Sequence, residues 1–363
     1  PRSKRPKLGQ HEQPQSYHQF VTNVPEYLGI CNPRVLEDIK KFARGGGPDL
    51  SDLRNCPAPT SSPPVAMSSS KSTFLSGRRS SGTTITARTS SAYDRDFCQK
   101  LVDGGVYTAG YRDPITGEAS KHPTNHKELR EVLARPRESA SPSTSEFEAY
   151  WQADVDARKE KQVSESIVPL IEGKIPDGRC RSGDILFNNL KPLTESNDLK
   201  SAKPDIYYGA RPEQIHKSTR HDLGGYIVPS TESDLPVAPN FFFAVKGPDG
   251  SPAVAERQAT YESALGARAM HKLQSYGKEK HSYDGKAHTL SATYCQGTLK
   301  LYTSHVEAPG QPGGPPSYHM TKLRSVAMDD SIESYKEGTR TYRNARDWCK
   351  KERDEMIREA NQR

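Results

Sequence analysis

The chain has 363 residues, 33% of them hydrophobic, with 28 Pro and 27 Gly. That composition excludes a single well-buried core along the whole length and points to a compact domain with long irregular segments. The net charge of +7 is uneven: residues 1–92 carry 13 Lys and Arg against 6 Asp and Glu, leaving 39 of each sign in 93–363. The domain itself therefore offers no global cationic field to a polyanion, although a local basic groove stays open. No apolar run approaches the roughly 20 residues of a membrane helix, and no signal-peptide pattern opens the sequence. Six scattered cysteines without a C-x-x-C pair argue against a zinc site and a disulfide scaffold, and for reduced thiols.

The opening Arg2-Ser3-Lys4-Arg5-Pro6-Lys7 reads as a nuclear-import cluster carried by Lys4, Arg5 and Lys7, or as a solvated basic tail. The nuclear reading comes first, the cytoplasm second. A short helix is expected over Val35–Phe42, ended by Gly45-Gly46-Gly47-Pro48. Residues 56–92 are rich in Ser, Thr and Pro, which completes a disordered tail over 1–92. Residues 93–144 read as a loosely structured extension with a short helix at Phe97, Leu101 and Val102. His122 and His126 have metal-ligand spacing, but Pro123 intervenes and no third ligand is near in sequence, so they read as loop histidines.

The compact domain is expected over 145–363. Ser145 and Glu148 suggest a capping box, opening a long helix from Phe147 to Ile167 that stops near Pro169. Residues 174–202 look irregular. A strand follows at Asp205–Tyr208, then a short apolar piece at Tyr226–Val228 and the most apolar strand, Phe241–Lys246. An alanine-rich helix is expected over Ala253–Leu273, and strands over His288–Cys295 and Thr298–His305 joined by Gln296-Gly297. A strand at Tyr318–Ser325 and a charged helix from about Asp329 to Ala360 close the chain. This order of elements is an α/β layout, a central mixed sheet flanked by helices.

The chemistry concentrates in three stretches. Lys203-Pro204-Asp205 opens one strand, Lys246 ends another, and Gln258 sits on the next helix. Phosphodiester hydrolysis gathers negative charge on the phosphorus oxygens. One or two divalent ions offset that charge and supply a bound hydroxide, and hard ions such as magnesium need only one or two carboxylates plus water. A lysine can stabilise the remaining charge. Residues two apart on a strand share a face, so an acid at 244 would join Lys246. Position 244 is alanine. Asp205 is the first candidate metal ligand, and the Val245 carbonyl is a second. Gln258 shares a helix face with Val254, Tyr261 and Leu265, where its amide needs a polar partner. Glu165 and Glu256 are candidate outer acids, and Asp249 is a further substitute beside Glu256.

Asp205, Lys246 and Gln258, in this order on these elements, follow the layout of a PD-(D/E)XK nuclease site. Residues from about 145 to 359 also resemble a fungal PD-(D/E)XK-like domain of unknown function, within the restriction-endonuclease-like nuclease superfamily. The stretches that carry the resemblance include Lys203-Pro204-Asp205-Ile206-Tyr207-Tyr208-Gly209 and Ala238-Pro239-Asn240-Phe241-Phe242. Others are Lys246-Gly247-Pro248-Asp249-Gly250-Ser251, the run from Ala253 to Tyr261, the run from Ala264 to His271, and Tyr342-Arg343-Asn344-Ala345-Arg346-Asp347-Trp348. The resemblance implies a restriction-endonuclease-like core, a site at Asp205, Lys246 and Gln258, and Mg2+ or Mn2+ as cofactor. The family's pattern has glutamate where this chain has Ala244, so impaired hydrolysis of DNA is expected, with RNA as a second substrate. The alternative is a non-catalytic module that binds nucleic acid or a protein on a nuclease-like scaffold.

Overall fold

The longest interior helix owes its place to small residues. In the computed structural model, Pro252–Ser275 forms a helix whose buried face includes Ala255, Ala259, Ala264, Ala267 and Ala269. Gly266 marks its closest approach to the sheet: a Cβ there would lie 2.6 Å from the Phe242 ring and 3.0 Å from the Pro239 carbonyl oxygen. The structure describes Glu37 and residues 89–363 except 139 and 140, and the described residues from 89 onward form one compact unit. The basic cluster Lys4, Arg5, Lys7 and the tail expected over 1–92 lie outside the described residues, save 89–92. Of the helix expected over Val35–Phe42 only Glu37 is described, and it is helical.

In chain order the elements are α1 (Phe97–Asp103), β1 (Val106–Tyr107), α2 (His126–Ala134), α3 (Thr144–Asp156), α4 (Glu160–Gln162), α5 (Val168–Glu172), β2 (Arg181–Ser182) and β3 (Ile206–Ala210). Then come α6 (Lys217–Asp222), α7 (Gly224–Ile227), β4 (Val237–Lys246), α8 (Pro252–Ser275), β5 (Ala287–Cys295), β6 (Thr298–Glu307), β7 (Ser317–Ala327) and α9 (Ile332–Asn361). The strands make one sheet in the order β1-β7-β6-β5-β4-β3-β2. β4 and β5 run parallel, as the α8 crossover between them requires. β1 and β7 are also parallel, and the remaining pairs are antiparallel. The expected α/β architecture, a mixed sheet between helices, is what the chain adopts.

Alternation along β4 divides the core. Phe241, Phe243 and Val245 pack on one face with Tyr342 and Cys349 of α9 and with Ile167 and Ile171. Phe242 packs on the other with Val254, Tyr261 and Leu265 of α8. Each fully buried Phe contributes on the order of 1.5–3 kcal/mol. Tyr335, Tyr342, Ala345, Cys349 and Met356 lie on the buried face of α9. The segment expected to be a loose extension contributes β1 and core residues Phe97, Leu101 and Val106 on the α8 face, with Leu129 and Leu133 on the other.

Two local expectations need correction. The capping box is made by Ser143 and Glu146, two residues upstream of the expected pair. The helix does not run on to Ile167. It stops at Ala157, whose backbone is extended, and Lys159 is extended too. Gln162 Oε1 accepts the amides of Arg158 and Lys159, which caps a new helical start at Glu160. A π-helical turn at Val163–Ile167 then leads into α5. The break brings Glu160 to the end of β4, so close that a Cβ on Gly247 would lie 2.5 Å from the Glu160 nitrogen.

Candidate active site

The register of β3 on β4 builds the site. Ile206 lies opposite Phe243 and Tyr207 opposite Phe242. Carried back one residue, the same register sets Asp205 opposite Ala244. Ala244 and Lys246 share the face of Phe242, which is covered by α8, and Asp205 shares the face of Tyr207. Asp205, Ala244 and Lys246 thus meet at one end of two neighbouring strands, under one helix.

Lys246 is buried, only 2% exposed. Its Nζ donates to the Val245 carbonyl oxygen at 2.7 Å and to Glu160 Oε2 at 3.0 Å, and reaches Asp205 Oδ2 at 3.5 Å. Asp205 Oδ2 also accepts the Val245 amide at 2.7 Å. Burial alone would lower the Lys246 pKa, but Asp205 and Glu160 overcome it and hold the ammonium above its ordinary value. Burial pushes the Asp205 carboxyl up despite Lys246 and the Val245 amide, with Glu160 adding to the rise. The carbonyl expected to face a metal is therefore engaged by the lysine.

Gln258 lies on α8 as expected, on the stripe of Val254, Tyr261 and Leu265. Its Oε1 is buried and has no hydrogen-bond partner. One turn further, Glu262 is 2% exposed and its Oε2 is likewise buried without a partner. Burial holds the Glu262 carboxyl well above the usual carboxylate range, and Asp205 pushes it further while Lys246 opposes. Glu262 is therefore within electrostatic reach of both strand residues. Sequence reasoning missed it. The available signal was its i, i+4 spacing from Gln258, which puts both on one helix face.

These groups open on a cavity of about 750 Å³ whose lining includes Tyr93, Glu160, Asp205, Gln258, Tyr261 and Glu262. A second cavity of about 530 Å³ is lined by Lys246 together with Arg158, Lys159 and Asp249. The other sequence candidates lie elsewhere. Glu165 is exposed and pairs with Lys161, so the outer carboxylate at Lys246 is Glu160. Glu256 Oε2 accepts the Tyr302 hydroxyl at 3.2 Å, and exposed Asp249 pairs with Lys159 at 2.9 Å. His122 and His126 stack edge to face with ring centroids 4.7 Å apart. His305 and His319 lie 5.4 Å apart on β6 and β7, and His122 is near enough to disfavour charge on His305. Among the described residues no group of three or more His, Cys, Asp or Glu is placed to hold a metal ion. None of the described helices is long and apolar enough to cross a membrane.

No curated protein and no solved structure matches this chain. Residues 146–361 match a family described as a domain of unknown function, DUF7924. That match spans well over half of the sequence and contains Glu160, Asp205, Lys246, Gln258 and Glu262, and the chain belongs to the DUF7924 family.

Proposed function

We propose that this protein is a phosphodiester-cleaving enzyme on a restriction-endonuclease-like core, in which Glu262 of α8 supplies the carboxylate that strand position 244 lacks. The observation that carries this reading is the unpartnered Glu262 Oε2, buried at the cavity that Asp205 also lines. A buried polar atom without a partner costs roughly 1–3 kcal/mol, a cost that a ligand at the site removes. Asp205 and Glu262 are a two-carboxylate, open donor set, which suits a hard ion that keeps several waters. It is not a closed cage, in keeping with the lack of a three-ligand cluster among the described residues. Asp205 and Glu262 would hold Mg2+ or Mn2+. When bound, such an ion neutralises charge on the phosphorus oxygens and lowers the pKa of a water.

The chain's own groups divide the remaining work. Lys246 stays charged and stands where negative charge develops on a scissile phosphate. Glu160 and Asp205 hold its ammonium, and the Val245 amide fixes one oxygen of Asp205. Gln258 Oε1 accepts a hydrogen bond from a water or a ligand hydroxyl. Burial holds the Glu262 carboxyl well above the usual carboxylate range, and an ion would be held by its deprotonated form, so metal affinity would rise with pH. We assign DNA as the substrate, with RNA second, and a nuclear location if the cluster Lys4, Arg5, Lys7 acts in import.

A second reading has an observation of its own. The Lys246 ammonium engages Val245 O, Asp205 and Glu160 at once, so an internal cation satisfies the groups around it. A non-catalytic nucleic-acid-binding module would keep that arrangement. The test is cleavage of single- and double-stranded DNA and of RNA with Mg2+ or Mn2+, by the native chain, Asp205→Ala and Glu262→Gln. Cleavage by the native chain alone is expected. Folded protein without cleavage under any condition leaves the binding module.

A further inference from the structure

One wall of the 750 Å³ cavity comes from upstream of the family match. Thr89, Ser91, Ala92, Tyr93 and Phe97 line it opposite Asp205, Gln258 and Glu262. This segment is fastened to the domain. The Ser90 amide donates to Asp198 O at 2.7 Å, the Lys200 amide donates to Ser90 O at 2.8 Å, and Arg257 of α8 donates to Ala92 O at 3.2 Å. Asp94 Oδ2 accepts the Ser91 amide and hydroxyl, both at 2.8 Å, which closes the turn that carries Tyr93. Yet the Tyr93 side chain is left 66% exposed. Leu186, 48% exposed, lines the same cavity with Lys200 and Lys203.

An exposed aromatic ring on a fastened backbone, beside the unpartnered Glu262 oxygen, Lys200, and Lys203 paired with Asp184 at 2.6 Å, has the parts of a single-strand reader. Every base has a π-face that stacks on such a ring, and lysines follow the phosphates. In a duplex those faces are already stacked on neighbouring base pairs. The cavity volume lies within the roughly 300–1,000 Å³ of sites that enclose a small ligand, which admits an unstacked nucleotide. We propose that Tyr93 is a base-stacking platform and that the substrate is a single-stranded polynucleotide, with one base seated on Tyr93 and its phosphate directed to the Asp205 end of the cavity. This rests on the phosphodiesterase reading and deepens it.

The test is binding without cleavage. The full chain in EDTA is titrated into single-stranded DNA carrying 2-aminopurine, the same sequence as RNA, and the DNA duplex. Single strands should bind at least about tenfold tighter than duplex, with quenching of 2-aminopurine as stacking forms. Tyr93→Ala should weaken single-strand binding by about 5- to 150-fold, the equivalent of one stacked base, and abolish quenching. Tyr93→Trp should preserve both. Unchanged circular dichroism checks that each variant is folded. Equal affinity for duplex, unchanged binding by Tyr93→Ala, or no binding at all overturns the proposal. Cleavage in magnesium with no Tyr93 effect overturns the platform and leaves the phosphodiesterase reading. A Tyr93 effect without cleavage by any variant does the reverse. The DNA and RNA arms separate the two sources of single strand.

Discussion

Lys246 and the partly buried His288 are each held by two carboxylates, and they differ in what surrounds them. His288 on β5 donates from Nε2 to Asp284 and from Nδ1 to Glu352 of α9, both at 2.9 Å. Asp284 also accepts Gln274 Nε2 at 2.7 Å and the Lys286 amide at 2.8 Å. Both ring nitrogens are bonded, and the adjoining cavity is only about 10 Å³. Lys246 has comparable partners but adjoins a cavity of about 530 Å³, while Glu160 and Asp205 line another of about 750 Å³ beside which two polar oxygens lack partners. The first cluster is a fastener between β5 and α9. The second is an interaction set left incomplete toward a ligand. Burial and charge pairing are common to both, so they do not distinguish a site. Unsatisfied polar atoms facing open volume do.

Substitutions can break that distinction in order of size. Lys246→Met should lower cleavage by about 100-fold or more in a single-turnover assay, the scale of losing a charge-stabilising donor. His288→Gln should leave cleavage within about twofold. Conversely, His288→Ala strands two acids and should destabilise the fold by about 3 kcal/mol, read as a lower urea midpoint.

The pH dependence sharpens the contrast further. Burial opposes charge on His288, but Asp284 and Glu352 raise its pKa from 6.5 to about 9. Its contribution is complete below 6.5 and is lost as pH rises through 9. The Tm gap between the native chain and His288→Gln should accordingly close over that interval. Glu262 has the opposite effect. Its pKa is raised, so the folded state binds a proton that the unfolded state releases, and rising pH destabilises the fold. In EDTA, Glu262→Gln should raise Tm at pH 8 and raise it less at pH 4. A Tm gain that is equal at both pH values would contradict the buried acid.

Much of this site could be read from the sequence because it follows short periods. Asp205, Ala244 and Lys246 follow from a strand's period of two, and Gln258 from a helix's period of 3.6. Glu160 could not be found that way. An unbroken helix hid the turn at Ala157–Lys159, which depends on Gln162 capping and on the close pass over Gly247. Glu262 was not legible because the face of the helix that meets Asp205 is set by the packing of α8 on β4. Tyr93 was out of reach for a different reason. Its segment joins the site through a pairing of Ser90 with Leu199 more than a hundred residues away, which no local pattern encodes.

The central claim is that the carboxylate missing from β4 is supplied by Glu262. Its most direct test is a rescue: Mn2+-dependent cleavage by the native chain, Glu262→Gln, and Glu262→Gln combined with Ala244→Glu. Cleavage by the native chain is expected, with a loss of about 100-fold or more in the single variant and recovery when an acid stands at strand position 244. Undiminished cleavage by Glu262→Gln would contradict it.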